Sequence, residues 1–183
     1  STAYWRWSTE QVSYFQRMTE RRGVPVGIGS LTEEAQRHRS FSFRFVSRRG
    51  QLLRVEGVNA QGTLTPDVHG EAAWQYLYDA ESGQIRKIVS KDWRGFIVKQ
   101  TVFSDDLTRR EFRDKHGLPK PRQGTDISQQ QTTYDDQGFV TSIRFSNVYG
   151  APRSDSEGAH GYQYLSLWSG LPTRLVVLGA DGK

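Results

Sequence analysis

The chain has 183 residues, a net charge of +5 and no cysteine, with a pI near 9.6. That length fits one domain with its own core, and the lack of cysteine excludes a disulfide framework, a thiolate nucleophile and any Cys-ligated metal. No run of about 18 apolar residues is present to form a membrane-spanning helix, and no Lys/Arg run exceeds two residues, which argues against nucleic acid as the partner.

In chain order, Tyr4-Trp5-Arg6-Trp7 comes first. It fits either a membrane interface, where amphipathic rings sit at headgroup level, or a helix start whose rings tuck under a sheet. Ser8-Thr-Glu-Gln11 has the form of a capping box. From there to about Arg22 no Gly or Pro interrupts, and Val12, Phe15 and Met18 recur at helical spacing. A helix packed on the rest of the chain is predicted, stopped by Gly23. The Gly- and Pro-rich stretch 23–29 reads as a linker. Its Gly27-Ile-Gly29 lacks the preceding strand and third glycine of a phosphate-binding loop. Ser30-Leu-Thr-Glu33 is a second capping box, opening a short helix to about His38. The alternating Phe41-Ser-Phe-Arg-Phe-Val46 is then a strand.

From residue 50 a repeat governs the chain. Five eight-residue segments, QLLRVEGV, QIRKIVSK, DLTRREFR, FVTSIRFS and LPTRLVVL, lie between an opening turn residue (Gly50, Gly83, Asp105, Gly138, Gly170) and a closing glycine (Gly62, Gly95, Gly117, Gly150, Gly182). Four closing turns begin with Asn59, Asp92, Asp114 or Asn147. An Asx side chain bonds the backbone two residues on while glycine supplies a positive φ. Further strands precede the second, fourth and fifth segments, and 95–103 links the second to the third. The openings are 33, 22, 33 and 32 residues apart, so a bare hairpin period of 22 is stretched by inserted loops at 63–70, 118–126 and 151–161. The fold class is therefore mainly β: an antiparallel meander of hairpin repeats forming a curved sheet, with one or two N-terminal helices packed on it. Residues 1–183 read as one domain, 1–40 helical and 41–183 the repeat sheet. The start on Ser1 and the stop after Gly182 read as cuts in a longer protein.

Side chains alternate along a strand. The fifth position of the units holds Val55, Ile88, Arg110, Ile143 and Leu175, apolar in four and assigned to the core. The fourth holds Arg54, Lys87, Arg109, Ser142 and Arg174. This basic column is either the solvated face of the sheet or a surface for an anion, a lipid headgroup or an acidic partner. His69 and His160 stand in comparable His-Gly loops with Asp67, Asp155 and Glu157 nearby. They offer metal ligands only if a third strong ligand joins them; otherwise His-Gly marks a turn entering a strand. The paired Asp135-Asp136 suits turn geometry. No nucleophile elbow, phosphate loop or His-Glu-x-x-His occurs. No catalytic residue, metal or cofactor is assigned.

Two resemblances follow from these residues. Tyr134-Asp-Asp-Gln-Gly138 and Leu77-Tyr-Asp-Ala-Glu-Ser-Gly83 resemble the YD hairpin repeats of bacterial Rhs-type surface proteins. GVPVGIGSLTEEAQRHRSFSFRF, VEGVNAQG and GLPTRLVVLGADGK are similar to the extracytoplasmic regions of bacterial membrane-anchored signalling proteins. The second resemblance spans nearly the whole chain and implies a β-rich sensory or interaction module outside the cytoplasm, anchored by a segment beyond this sequence. It assigns no ligand residues, and the ligand or protein partner stays open. The alternatives are a carbohydrate- or cell-wall-binding domain stacking sugars on its aromatic rings, and a polyanion binder using the basic column.

Overall fold

The structure, a computed structural model, describes residues 9–165 and 171–183. It is mainly β, with 52% strand and 3% helix. The strands are β1 (Gln11–Arg21), β2 (Val24–Leu31), β3 (Ser42–Arg48), β4 (Gln51–Val58), β5 (Ala73–Tyr78), β6 (Ile85–Lys91), β7 (Ile97–Phe103), β8 (Arg109–Asp114), β9 (Gln129–Tyr134), β10 (Val140–Ser146), β11 (Gly161–Leu165) and β12 (Arg174–Leu178). Hydrogen-bonded neighbours run β12-β11-β10-β9-β8-β7-β6-β5-β4-β3-β1-β2, a meander apart from the β1–β2 hairpin, whose first strand adds beside β3. The hairpin repeat is thus the architecture. The aromatic cluster at 4–7, Ser8 of the first capping box and the opening turn at Gly170 lie outside the described residues.

One expectation is corrected. The segment assigned to a helix from Ser8 is β1, and the assigned linker is β2. The stripe Val12, Phe15, Met18 sits among Tyr14, Thr19 and other residues that pack well on a pleated surface. In β1, Val12 pairs Val46 and Phe15 pairs Phe43, while the Phe15 ring meets Phe45 edge-on at 4.9 Å. Gly27 makes this possible from the other side, since a Cβ there would stand 2.3 Å from the Phe15 ring. The two strands join through Arg22 and Gly23, with φ of 49° and 80°, the left-handed pair of a tight hairpin turn. The only α-helix among the described residues is α1 (Glu33–Arg37), capped by Thr32, whose hydroxyl accepts from the Ala35 amide at 3.0 Å. It is held to the scaffold by buried Gln36, which donates to the Asn59 carbonyl at 2.7 Å.

The described residues form two compact units. The first comprises those up to Thr19 with Val24–Leu77 and Ile88–Val98; the second comprises Glu20–Gly23, Tyr78–Lys87 and Lys99–Lys183. In the first, Phe45 and Val46 are both buried, as are Val55, Val58 and Tyr76, so β3 and β4 are covered on both faces. In the second, Ile85, Phe103, Leu107, Ile127, Phe145 and Leu178 form the core. The β1–β2 turn belongs to this second core. A Cβ on Gly23 would meet Ile85 at 2.7 Å and Phe103 at 3.0 Å, and the Arg22 amide donates to the Gly138 carbonyl at 2.7 Å.

Candidate functional site

The Asx turns take the expected form. The side-chain oxygens of Asn59, Asp92, Asp114 and Asn147 each accept the amides two and four residues on, at 2.8–3.0 Å. Their closing glycines have φ of 77–88°. The third unit differs in detail, because its opening turn is organised by Asp106 and places Leu107, rather than a glycine, at φ 64°.

The three inserted loops are built alike and tightly. After the closing turn, Leu64, Pro119 and Pro152 bridge back to Val58, Arg113 and Ser146. A second turn follows in each, opened by Asp67, Arg122 or Asp155, and the chain returns to the sheet through Ala72, Ser128 and His160. His69 is an exposed turn residue whose amide donates to Asp67. His160 is half-buried, and its amide and carbonyl bond the Leu178 carbonyl and the Phe145 amide. No group of three His, Asp or Glu side chains suited to a metal occurs among the described residues.

The basic column is divided by its partners. In the first unit, Arg54 donates to both oxygens of Glu10, at 3.3 and 3.2 Å, and to Glu56 at 3.3 Å. Hydrogen bonds from Arg54 hold the Glu10 carboxyl below its usual pKa, helped by the Arg48 charge. In the second unit, Lys87 is half-buried and shares its strand face with buried Ile85, Arg109 is exposed with Glu111 at 3.9 Å, and Arg174 is exposed. The core column is also mixed: Val55 is fully buried, whereas Leu175 is 53% exposed.

Arg110, the charged exception in the apolar column, lies in the second core. Its side chain is 11% exposed and forms a bidentate pair with Glu20, from the end of β1, while it also donates to the Tyr134 hydroxyl at 3.1 Å. The guanidinium stands 4.9 Å from the Phe103 ring centroid. Burial opposes its charge, but the Glu20 carboxylate and Tyr134 outweigh burial and raise its pKa. The Tyr134 hydroxyl in turn donates a hydrogen bond to the Leu107 carbonyl at 2.9 Å. With both partners engaged, this cluster closes the core and offers no free ligand atoms at the paired carboxylate.

Two other features of the first unit face solvent. An open cleft of about 340 Å³ is lined by Leu53, Arg54, Lys91 and residues 73–77 of β5. Trp74 in its wall is oriented by Glu71, which accepts from the indole Nε1 at 3.1 Å and whose backbone amide donates a hydrogen bond to the Asp67 carboxylate. With Arg54 already paired to Glu10 and Glu56, an indole face beside Lys91 and the Gln75 carboxamide suits a polar ring. The second feature is the β6–β7 turn. Here Trp93 is 61% and Phe96 64% exposed, followed by exposed Ile97 and Val98.

No protein-family model and no curated protein matches the chain. The site is therefore read from its own residues. Sequence reasoning selected Arg54 but passed over Trp74, Trp93 and Phe96. Their signal was available: Trp93 sits directly after the turn-forming Asp92, where side chains point outward.

Proposed function

We propose that this chain is a non-enzymatic interaction module of the kind that bacterial membrane-anchored signalling proteins carry outside the cytoplasm. The observation that carries the interaction reading is the placement of exposed large apolar side chains on turns and loop starts. Val68, Trp93, Phe96, Leu118 and Tyr149 are 61–94% exposed. Apolar groups concentrated at protruding points mark contact surfaces. The extracytoplasmic and signalling setting rests on the sequence resemblance alone. Cell-wall glycan is the second reading, favoured by Trp74 in the cleft. The self-paired Arg54 weakens the polyanion reading.

Sedimentation with bacterial envelope fragments tests the proposal. The chain is expected to co-sediment, and Trp93→Ser/Phe96→Ser or Trp74→Ala to reduce this with unchanged melting temperature. A chain that ignores both membrane and cell-wall fractions, or binds them equally well with both sites altered, refutes it.

A further inference from the structure

The β6–β7 turn carries a continuous exposed stretch. On one side, the Ala72 amide bonds the Lys91 carbonyl at 2.8 Å just before the turn. On the other strand, pairing with β8 begins at Lys99, opposite Asp114. Between these points every residue from 93 to 99 is exposed. Since Ile97 and Val98 point to opposite faces and are 40% and 37% exposed, neither face of the hairpin end is covered. This hairpin end, here called the finger, carries two aromatic rings and two branched aliphatic side chains.

Several polar groups of its turn pair among themselves. The Asp92 amide donates to the Phe96 carbonyl at 2.9 Å and the Gly95 amide to the Asp92 carbonyl at 3.0 Å. The Arg94 and Phe96 amides both donate to Asp92 Oδ1, at 2.9 and 3.0 Å. The other carboxylate oxygen, Oδ2, accepts two hydrogen bonds from the Arg94 guanidinium, at 3.1 and 2.8 Å. That guanidinium lies 5.1 Å from the Phe96 ring centroid and 5.9 Å from that of Trp93. Thus the one acid of the finger is neutralised by its own arginine. Few unsatisfied polar groups would have to leave water if the tip entered a less polar medium.

We infer that this finger anchors the chain to a phospholipid bilayer, with Trp93 and Phe96 entering the headgroup–acyl boundary and Lys91 facing anionic headgroups. The inference rests on the interaction-module reading and names the partner of one of its surfaces. Aromatic rings are favoured at that depth, and the chain's charge of +5 attracts an anionic surface. Exposed apolar side chains on both faces of the hairpin end suit insertion into a fluid interface.

The test is flotation of the whole chain with vesicles of phosphatidylcholine, alone or mixed with phosphatidylglycerol. Binding is expected to both and to be stronger to the anionic mixture. High salt should weaken it without abolishing it, because the apolar contribution is not screened. Trp93→Ser/Phe96→Ser should lower partitioning at least about tenfold with an unchanged melting temperature. Trp93→Phe should keep most of the binding but remove the quenching by brominated lipid that Trp93 provides. Absence of vesicle binding, a double variant that binds like the parent, or undiminished quenching in Trp93→Phe overturns the inference. If the chain still sediments with envelope fragments while ignoring pure lipid, the module reading stands and the partner is protein or glycan.

Discussion

Replacing Arg110 by Leu restores the apolar pattern of its column and, on sequence grounds alone, should stabilise the sheet. The structure predicts the opposite. Arg110→Leu leaves Glu20 beside the core with no cation, and removing one partner of a buried pair costs about 3–5 kcal/mol when both are fully buried. Because the Glu20 side chain is 27% exposed and Arg110 11%, water recovers part of this, and a loss of about 2–3 kcal/mol is expected. Glu20→Leu alone should cost somewhat less, since the guanidinium keeps Tyr134 and the Phe103 face. The double variant Glu20→Leu/Arg110→Leu removes both charges together and should return to within about 1 kcal/mol of the parent. Urea unfolding followed by far-ultraviolet circular dichroism gives these values, and exchange of the Thr132 amide, bonded to the Thr108 carbonyl at 2.7 Å, reports locally. An Arg110→Leu cost below about 0.5 kcal/mol, or a double variant no better than the worse single one, would refute the reasoning.

Three further outcomes are expected. Gly161→Ala should destabilise by at least about 3 kcal/mol, because its Cβ would lie 2.1 Å from the Ile143 carbonyl oxygen. Gly158→Ala, with open space around it, should cost only about 1 kcal/mol of backbone strain; thermal melts compare the two. Asn147→Ala removes a buried side chain whose oxygen accepts the Tyr149 and Ala151 amides and should cost about 1–2 kcal/mol, with Asn147→Asp retaining most of the stability. At high pH, burial pushes Tyr78 up to about 12, and a hydrogen bond to Asp155 pushes Tyr162 to about 12. Raised values favour the folded, neutral phenols, so their contribution is complete below the ordinary value of 10.0 and is lost as pH rises toward about 12. Phenolate absorbance recorded alongside a pH series of melting temperatures should show both changes in that window; phenols titrating at the ordinary value would contradict it.

The tripeptide Arg-Arg-Gly separates what was legible from what was not. At 48–50 it lies between alternating strands, and its turn could be read from sequence. At 21–23 the same residues follow a segment whose apolar spacing suits a helix, and the hairpin there was missed. Both sites use positive φ at the second Arg and the Gly, 52° and 75° at Arg49-Gly50 and 49° and 80° at Arg22-Gly23. The 21–23 turn is held by the Gly138 carbonyl and by Ile85 and Phe103, residues distant in sequence. Likewise, Trp74 acquires its orientation from Glu71 and the 63–70 loop, a local device that residue-type searching overlooks.

Sequence by itself determined the meander, because Asx and glycine act through bonds spanning only a few residues. It determined the 22-residue hairpin period and its stretching by inserted loops for the same reason. Tertiary structure decided whether the first apolar stripe became helix or strand, since Phe15 gains Phe43, Phe45 and Gly27 only after β3 and β2 are in place. It also decided the meaning of the column residues. Arg54 and Arg110 are equally basic in sequence, yet one lines an open cleft and the other is buried against Glu20. Charge is a property of the residue, whereas burial and pairing belong to what the folded chain brings beside it.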